Sequence, residues 1–268
     1  MAPTRDSNPS AYQEMFVGEL RARRGSTSRN KLATALGCTP QWLAKVETFE
    51  KPPSEGLADD LDTYYEAGGT FRRIWEKHLE AQKRGLIPNA VRPLVDAEKE
   101  AALICIYEPL LVTGLLQTEE YARFVLSAGE RADKAEDLLA IRMERQSVFE
   151  KDSPPWLFLV IREAVIRGIR PEFRVEQCKR FLDVLRYPKV SIQVIPVGEP
   201  EFQPGGFQLL SFESSATVAY VDGAGGHGQI LADPHDVLGL TVLFNVIRSA
   251  ALSAADSENL IRTIMESP

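Results

Sequence analysis

The chain has 268 residues, enough for one large domain or a small one followed by a medium one. Its 44% hydrophobic and 26% charged content excludes wholesale disorder, and no apolar run reaches the roughly 18 to 20 residues that span a membrane. A formal net charge of −7 excludes polyanion binding by bulk charge. Only residues 12–51 are basic, with seven Lys/Arg against four Asp/Glu, while residues 86–268 carry eighteen against twenty-six.

Residues 1–11 are polar with prolines and read as a flexible tail without an apolar signal segment. A cytoplasmic protein is therefore expected. Cys38, Cys105 and Cys178 are odd in number and far apart, and read as reduced core residues. Residues 12–87 read as five short helices. Phe16, Val17 and Leu20 share one face of the first. Residues 29–36 and 39–49 follow, split by Gly37 and Cys38. Pro52 and Pro53 end the third helix. Ser54 caps a fourth carrying Leu57, Leu61, Tyr64 and Tyr65. Gly68 and Gly69 end it, and Phe71, Ile74, Trp75, His78 and Leu79 mark the fifth, with His78 as a packed or half-exposed structural histidine.

Residues 88–93 read as a linker, and residues 94–268 as a second domain of mixed α and β structure with a small sheet. The fold class is therefore α+β, with an all-α five-helix domain in front. Residues 119–127 and 132–150 read as helices. Residues 156–161 form a continuous apolar strand. Residues 174–185 form a helix with Val175, Cys178, Phe181, Leu182 and Leu185 inward. Val190, Ile192 and Val194 alternate along a strand, and residues 207–212 and 217–221 pair as a hairpin. Two helices close the chain, 237–251 and 256–265.

The most informative stretch is residues 29–48. With Gly37 as the turn of a helix-turn-helix, Ala33 supplies the small residue where the helices approach. Leu32, Leu36, Leu43 and Val46 fill the shared core, Gly37 allows a left-handed backbone, and Cys38 is the apolar residue after it. Thr39 is a good N-cap and Pro40 suits the first helical position. The second helix of such a motif lies in the major groove with its N-terminal residues on base edges. That assigns a DNA-facing set of Thr39, Pro40, Gln41, Ala44 and Lys45. Gln41 is suited to a bidentate contact with adenine and Lys45 to a phosphate, with Arg29, Lys31 and Lys51 as flanking phosphate contacts.

On these residues, the stretch 12–70 resembles the XRE family of helix-turn-helix regulators, which are built from five short helices. Residues 94–265 resemble the C-terminal domain behind that motif in actinobacterial WhiJ-like regulators. The cues are the run YEPLLVTGLLQTEEYAR over 107–123, then Arg142, Arg145 and Gln146, Arg162 to Ala164, Val194 to Pro196, and Gly206 with Phe207. The resemblance implies developmental or antibiotic-related gene control on a double-stranded DNA operator, often beside a small partner protein encoded nearby. The chain departs from the family at Arg29, where Gln is usual. It departs again after Glu47, where Thr48, Phe49 and Glu50 replace an Arg-Gly pair, so that Glu47 and Glu50 are expected to bring carboxylates toward the DNA.

In the second domain, Tyr107, Glu108, Gln117, Tyr121, Arg123, Arg142, Arg145 and Glu163 are candidates for a ligand or partner surface. Glu163 is expected to pair with Arg142 or Arg145 in a structural ion pair. The run DGAGGHG over 222–228 lacks both the GxxxxGK[ST] and GxGxxG contexts and reads as a loop. His227, Asp233, His235 and Asp236 match no standard metal spacing. With three histidines and no nucleophile–base arrangement, no enzyme, cofactor or metal is expected. The leading expectation is a homodimeric DNA-binding regulator, since a dimer doubles the contacts of a mildly basic domain. The alternative is an interaction protein, antitoxin-like or an anti-regulator, with weakened DNA binding.

Overall fold

The computed structural model describes residues 9–89, 91–129, 132–200, 202, 205–223 and 228–267. The chain divides into two compact units, Met1–Gly85 and Leu86–Pro268. The first contains α1 (Ala11–Arg24), α2 (Arg29–Ala35), α3 (Pro40–Glu47), α4 (Glu55–Tyr64) and α5 (Thr70–Leu86), whose last residue lies past the division.

Local chemistry starts each of these helices. The Ser10 hydroxyl accepts from the Gln13 amide at 3.2 Å, and the Gln13 side chain accepts from the Ser10 amide at 2.8 Å. This reciprocal cap satisfies two amides that the first turn leaves orphaned. Ser10 and Ala11, expected in a loose tail, therefore begin the fold. Ser28, Thr39 and Ser54 cap α2, α3 and α4 through their hydroxyls. Asp62, inside α4, reaches across to accept from the Phe71 and Arg72 amides at 3.1 and 2.8 Å, satisfying the start of α5. The apolar faces meet in one core of Phe16, Val17, Leu20, Leu32, Ala33, Leu43, Val46, Leu57, Leu61 and Phe71. His78 is also buried. Its Nδ1 lies 3.1 Å from the Ser10 hydroxyl, its Nε2 has no partner among the described residues, and burial lowers its pKa.

The second unit is built on a six-stranded sheet of β1 (Leu103–Glu108), β2 (Trp156–Arg162), β3 (Val190–Ile195), β4 (Phe207–Ser211), β5 (Val218–Val221) and β6 (Gln229–Leu231). Their spatial order is β3-β2-β1-β4-β5-β6. The first three strands run parallel and the β1–β4, β4–β5 and β5–β6 pairs are antiparallel. Parallel neighbours need long crossovers, which bury the strands on both faces. α7 (Glu119–Ser127) and α8 (Ala135–Arg145) lie between β1 and β2, and α9 (Glu163–Arg167) and α10 (Pro171–Val184) between β2 and β3. Ile104, Ile106, Leu159, Ile161, Ile192 and Val194 face a core completed by Leu116, Tyr121, Cys178 and Phe181. Ile261 and Ile264 of α12 (Ala254–Glu266) join it. Tyr107, Val160, Phe207, Leu209 and Ala219 point to the opposite face, under Val237, Phe244 and Ile247 of α11 (Pro234–Ser249).

The edge of the sheet at β3 is closed by the turn joining α11 to α12. The Leu252 amide donates to the Val194 carbonyl at 2.9 Å, and the Val194 amide donates to the Ser257 hydroxyl at 2.9 Å. Several expectations need correction here. Residues 92 and 93, expected in the linker, open α6 (Arg92–Glu100), with Pro93 in its first turn where the missing amide hydrogen costs nothing. Val175 is exposed rather than inward, because the buried stripe of α10 begins at Gln177 and Cys178. The loop expected over 222–228 falls partly, and His227 wholly, outside the described residues. All three cysteines are free thiols, and burial pushes Cys105 and Cys178 up to about 11. Among the described residues no single helix is long and apolar enough to cross a membrane.

Candidate nucleic-acid interface

The turn between α2 and α3 forms as its residues dictate. Gly37 sits at φ 65°, a left-handed backbone that costs glycine nothing. The Cys38 amide then donates to the Ala33 carbonyl at 2.9 Å, drawing the chain back over α2. Ala33 is fully buried where the two helices approach, with Leu32, Leu43 and Val46 around it. Thr39 accepts from the Trp42 amide at 3.2 Å and so fixes the start of α3.

This places the expected DNA-facing residues as a set. Thr39, Gln41 and Lys45 are exposed and Pro40 and Ala44 half-buried along one side of α3. Arg29, Pro40, Gln41 and Ala44 line one shallow cleft of about 510 Å³. Lys31 and Lys51 are also exposed, outside that cleft. Two lining residues escape sequence reasoning, Arg24 and Asn30. Asn30 had a signal, since it stands beside Arg29 in the first turn of α2. Arg24 had none, because what holds it lies 23 residues away.

That partner is Glu47. It is fully buried and takes Arg24 Nε at 2.9 Å on one carboxylate oxygen and Arg29 Nε on the other. Arg21 adds a bond to its backbone carbonyl at 2.6 Å. Glu47 thus points inward and is matched by two guanidiniums, so it does not present a carboxylate to DNA as expected. Glu50 is exposed and accepts from the Thr48 hydroxyl at 2.9 Å. Phe49 stands where the resemblance leads one to expect glycine, and it adopts the left-handed backbone that glycine would, at φ 63°. Its ring packs against the first unit's core, which compensates that conformation.

The second unit's candidates do not form one surface. Tyr107 is buried on the α11 face of the sheet, away from the others. Tyr121 packs in the opposite core, and Arg123 pairs at the surface with Glu119 and Glu136 at 2.7 and 2.9 Å. Gln117 and the α8 arginines do come together. Buried Gln117 accepts from Arg142 at 2.8 Å and donates to the Val112 carbonyl at 2.7 Å. Arg145 makes a two-pronged pair with buried Glu98 at 2.9 and 2.8 Å. Burial, then the neighbouring Arg145, lowers the Arg142 pKa to about 10, so its charge persists at neutral pH. Glu163 pairs with neither arginine. It accepts from Arg167 Nε at 2.6 Å and from the Val197 amide at 2.9 Å. Burial raises its pKa, but these two donors outweigh burial and leave it lowered. The i,i+4 spacing on α9 gives Arg167 the shorter reach.

A helix-turn-helix domain family model matches residues 16–73. A second, described as a domain of unknown function (DUF5753), matches residues 91–263, more than half the chain. The chain belongs to the DUF5753 family. No curated protein and no solved structure matches it. The pairing of a helix-turn-helix with a DUF5753 domain supports a regulator of the XRE-like helix-turn-helix kind.

Proposed function

We propose that this DUF5753 protein is a sequence-specific transcription regulator of the WhiJ-like type. It acts in the cytoplasm as a homodimer. α3 enters the major groove, Gln41 reads a base edge, and Arg29, Lys31, Lys45 and Lys51 neutralise phosphates beside it. The observation that carries this reading is the exposed, uncluttered start of α3, where Thr39, Gln41 and Lys45 face outward above a cleft walled by Arg24 and Arg29. A dimer suits the mild basic charge. Two copies double the phosphates neutralised, and their half-sites would stand about 34 Å apart. The second unit then senses a small ligand or a small partner protein and shifts DNA affinity by changing dimer geometry.

The test is fluorescence anisotropy with DNA from the protein's own upstream region, at several salt concentrations. Lys45→Ala should weaken binding to every sequence and flatten the salt slope by about one unit, whereas Gln41→Ala should relax specificity by roughly 1 to 3 kcal/mol. Absence of binding by the wild type at low salt, or equal binding to scrambled DNA, defeats the reading.

A further inference from the structure

One row of residues crosses the second unit's sheet where β1 ends, β4 begins and β5 ends. The β1–β4 register runs Tyr107↔Phe207 and Ile106↔Gln208, and the β4–β5 register runs Gln208↔Tyr220 and Phe207↔Val221. One step further, Glu108, Gly206 and Asp222 therefore stand side by side, and the Asp222 amide donates to the Gly206 carbonyl at 3.1 Å. The middle member has no side chain. The flanking carboxylates lean over it, with Asp222 Oδ2 3.0 Å and Glu108 Oε2 3.2 Å from the point a Cβ of Gly206 would occupy. The Tyr107 carbonyl oxygen is 3.1 Å from the same point. Three oxygens thus converge above one glycine.

The next row inward adds an independent observation. Gln208 shares the face of Ile106 and Tyr220 and is only 5% exposed, and its buried Oε1 has no hydrogen-bond partner among the described residues. A buried amide oxygen with no donor is costly, and native structures seldom keep one without a ligand or water to satisfy it. The oxygens gathered here carry full or partial negative charge, and Gln208 Oε1 is the one buried without a partner among the described residues. A donor-rich cation is what such a set lacks.

We propose that Glu108 and Asp222, with the buried oxygen of Gln208 behind them, bind a small molecule through its protonated amine. Asp222 is exposed, so the row opens to solvent at its β5 end. Burial first, and the neighbouring Asp222 second, push the Glu108 carboxyl well above its usual range. Asp222 is raised too: the residue is exposed, but its carboxylate folded over Gly206 is partly withdrawn from water, with Arg145 opposing this and Glu98 adding to it. Two carboxylates held this closely resist losing both protons, and an ammonium placed between them removes that resistance. A bare divalent ion suits the row less well. The described residues contain no group of three metal-ligating side chains. Tyr121, Tyr220, Glu98 and Arg145 are the other titratable groups facing the pair from α7, β5, α6 and α8.

This inference rests on the sensing role proposed for the second unit and gives its ligand a chemistry. The experiment is saturation-transfer NMR on the full-length protein with butylamine, putrescine and butyrate, which reports binding even at millimolar affinity. Both amines should bind the wild type and butyrate should not. Glu108→Gln and Asp222→Asn should each weaken amine binding at least tenfold. The first keeps the shape of the side chain, and the second lies at an exposed position that tolerates change. No amine binding, amine binding unchanged in both variants, or butyrate binding as well as the amines overturns the site. Operator anisotropy repeated with saturating putrescine separates the two proposals. An amine that binds without moving DNA affinity refutes sensing and leaves the site standing, while operator binding without amine binding refutes the site alone.

Discussion

Replacing Glu47 by Gln tests the ionic core of the helix-turn-helix. The carboxylate is fully buried and accepts from Arg24 Nε and Arg29 Nε, whose side chains are 19% and 47% exposed. The Arg24 bond is charge-assisted and largely withdrawn from water, so its loss is worth about 1.5 to 3 kcal/mol. The Arg29 bond is half solvated and screened, and contributes about 1 kcal/mol or less. The amide leaves two guanidiniums facing each other with a neutral acceptor between them, a further penalty of the kind seen when one partner of a buried pair is removed. The sum is a loss of about 2 to 4 kcal/mol. Urea unfolding followed by tryptophan fluorescence measures it in a Trp156→Phe background, where Trp42 and Trp75 report on the first unit alone. Trp156 is half-exposed, so that background change is mild. Arg29→Ala should cost less than about 1 kcal/mol in the same assay. A Glu47→Gln loss under about 0.5 kcal/mol, or an Arg29→Ala loss equal to it, refutes the assignment of Glu47 as the structural centre of the motif.

Other expectations follow from single positions. Gly37→Ala should destabilise the first unit by about 1 to 2 kcal/mol, because φ 65° disfavours a Cβ although open space surrounds it. An unchanged urea midpoint would count against strain at that turn. His78 has a folded pKa lowered by burial, so protonation favours the unfolded chain. The stability it contributes is complete above about pH 6.5, falls as pH drops through that value and levels off below the folded pKa. His78→Leu should flatten the decline in urea midpoint between pH 7.5 and 5, and an unaltered slope would assign the decline to carboxylates instead. A Cβ at position 228 would meet Tyr220 Oη at 1.8 Å and Cζ at 2.1 Å, so Gly228→Ala forces a rigid ring to move. A loss of about 1 to 3 kcal/mol in thermal unfolding of the second unit is expected, and Gly228→Ala with Tyr220→Phe should recover part of it.

The helix-turn-helix was legible because its demands are local. Ser28, Gly37, Thr39 and Pro40 each act on neighbours within a few residues, and the apolar spacing of Leu32, Leu36, Leu43 and Val46 leaves one way to pack. What joins distant segments was not legible. The Glu47 carboxylate looked like a surface charge because Arg24 lies 23 residues before it. The pairing of Glu98 with Arg145 spans 47 residues, and nothing in the spacing of Arg142 and Arg145 says which of them would meet it. β1 is not legible as a strand, since its apolar Leu103, Ile104 and Ile106 adjoin the charged end of α6. β6 has only three residues and owes its form to pairing with β5, not to a pattern of its own. Pro93 misled in the other direction. A proline inside the first turn of a helix and one in a linker look alike in sequence, and only the following Leu94, Val95 and Glu98, all buried, distinguish them.

The turn between α11 and α12 has a consequence beyond packing. A strand at the rim of a sheet is a template onto which any extended peptide can be laid, and long, apolar, uncovered rims are where chains begin to associate wrongly. β3 is such a rim, and Leu252 and Ser257 occupy two of its outward-facing backbone groups. Those two residues come later in the chain than every strand of the sheet, the last of which is β6. On a ribosome the second unit is therefore complete in every strand before its rim is shielded. A nascent molecule thus holds all six strands with that rim open, and its safe passage depends on how soon α11 and α12 follow.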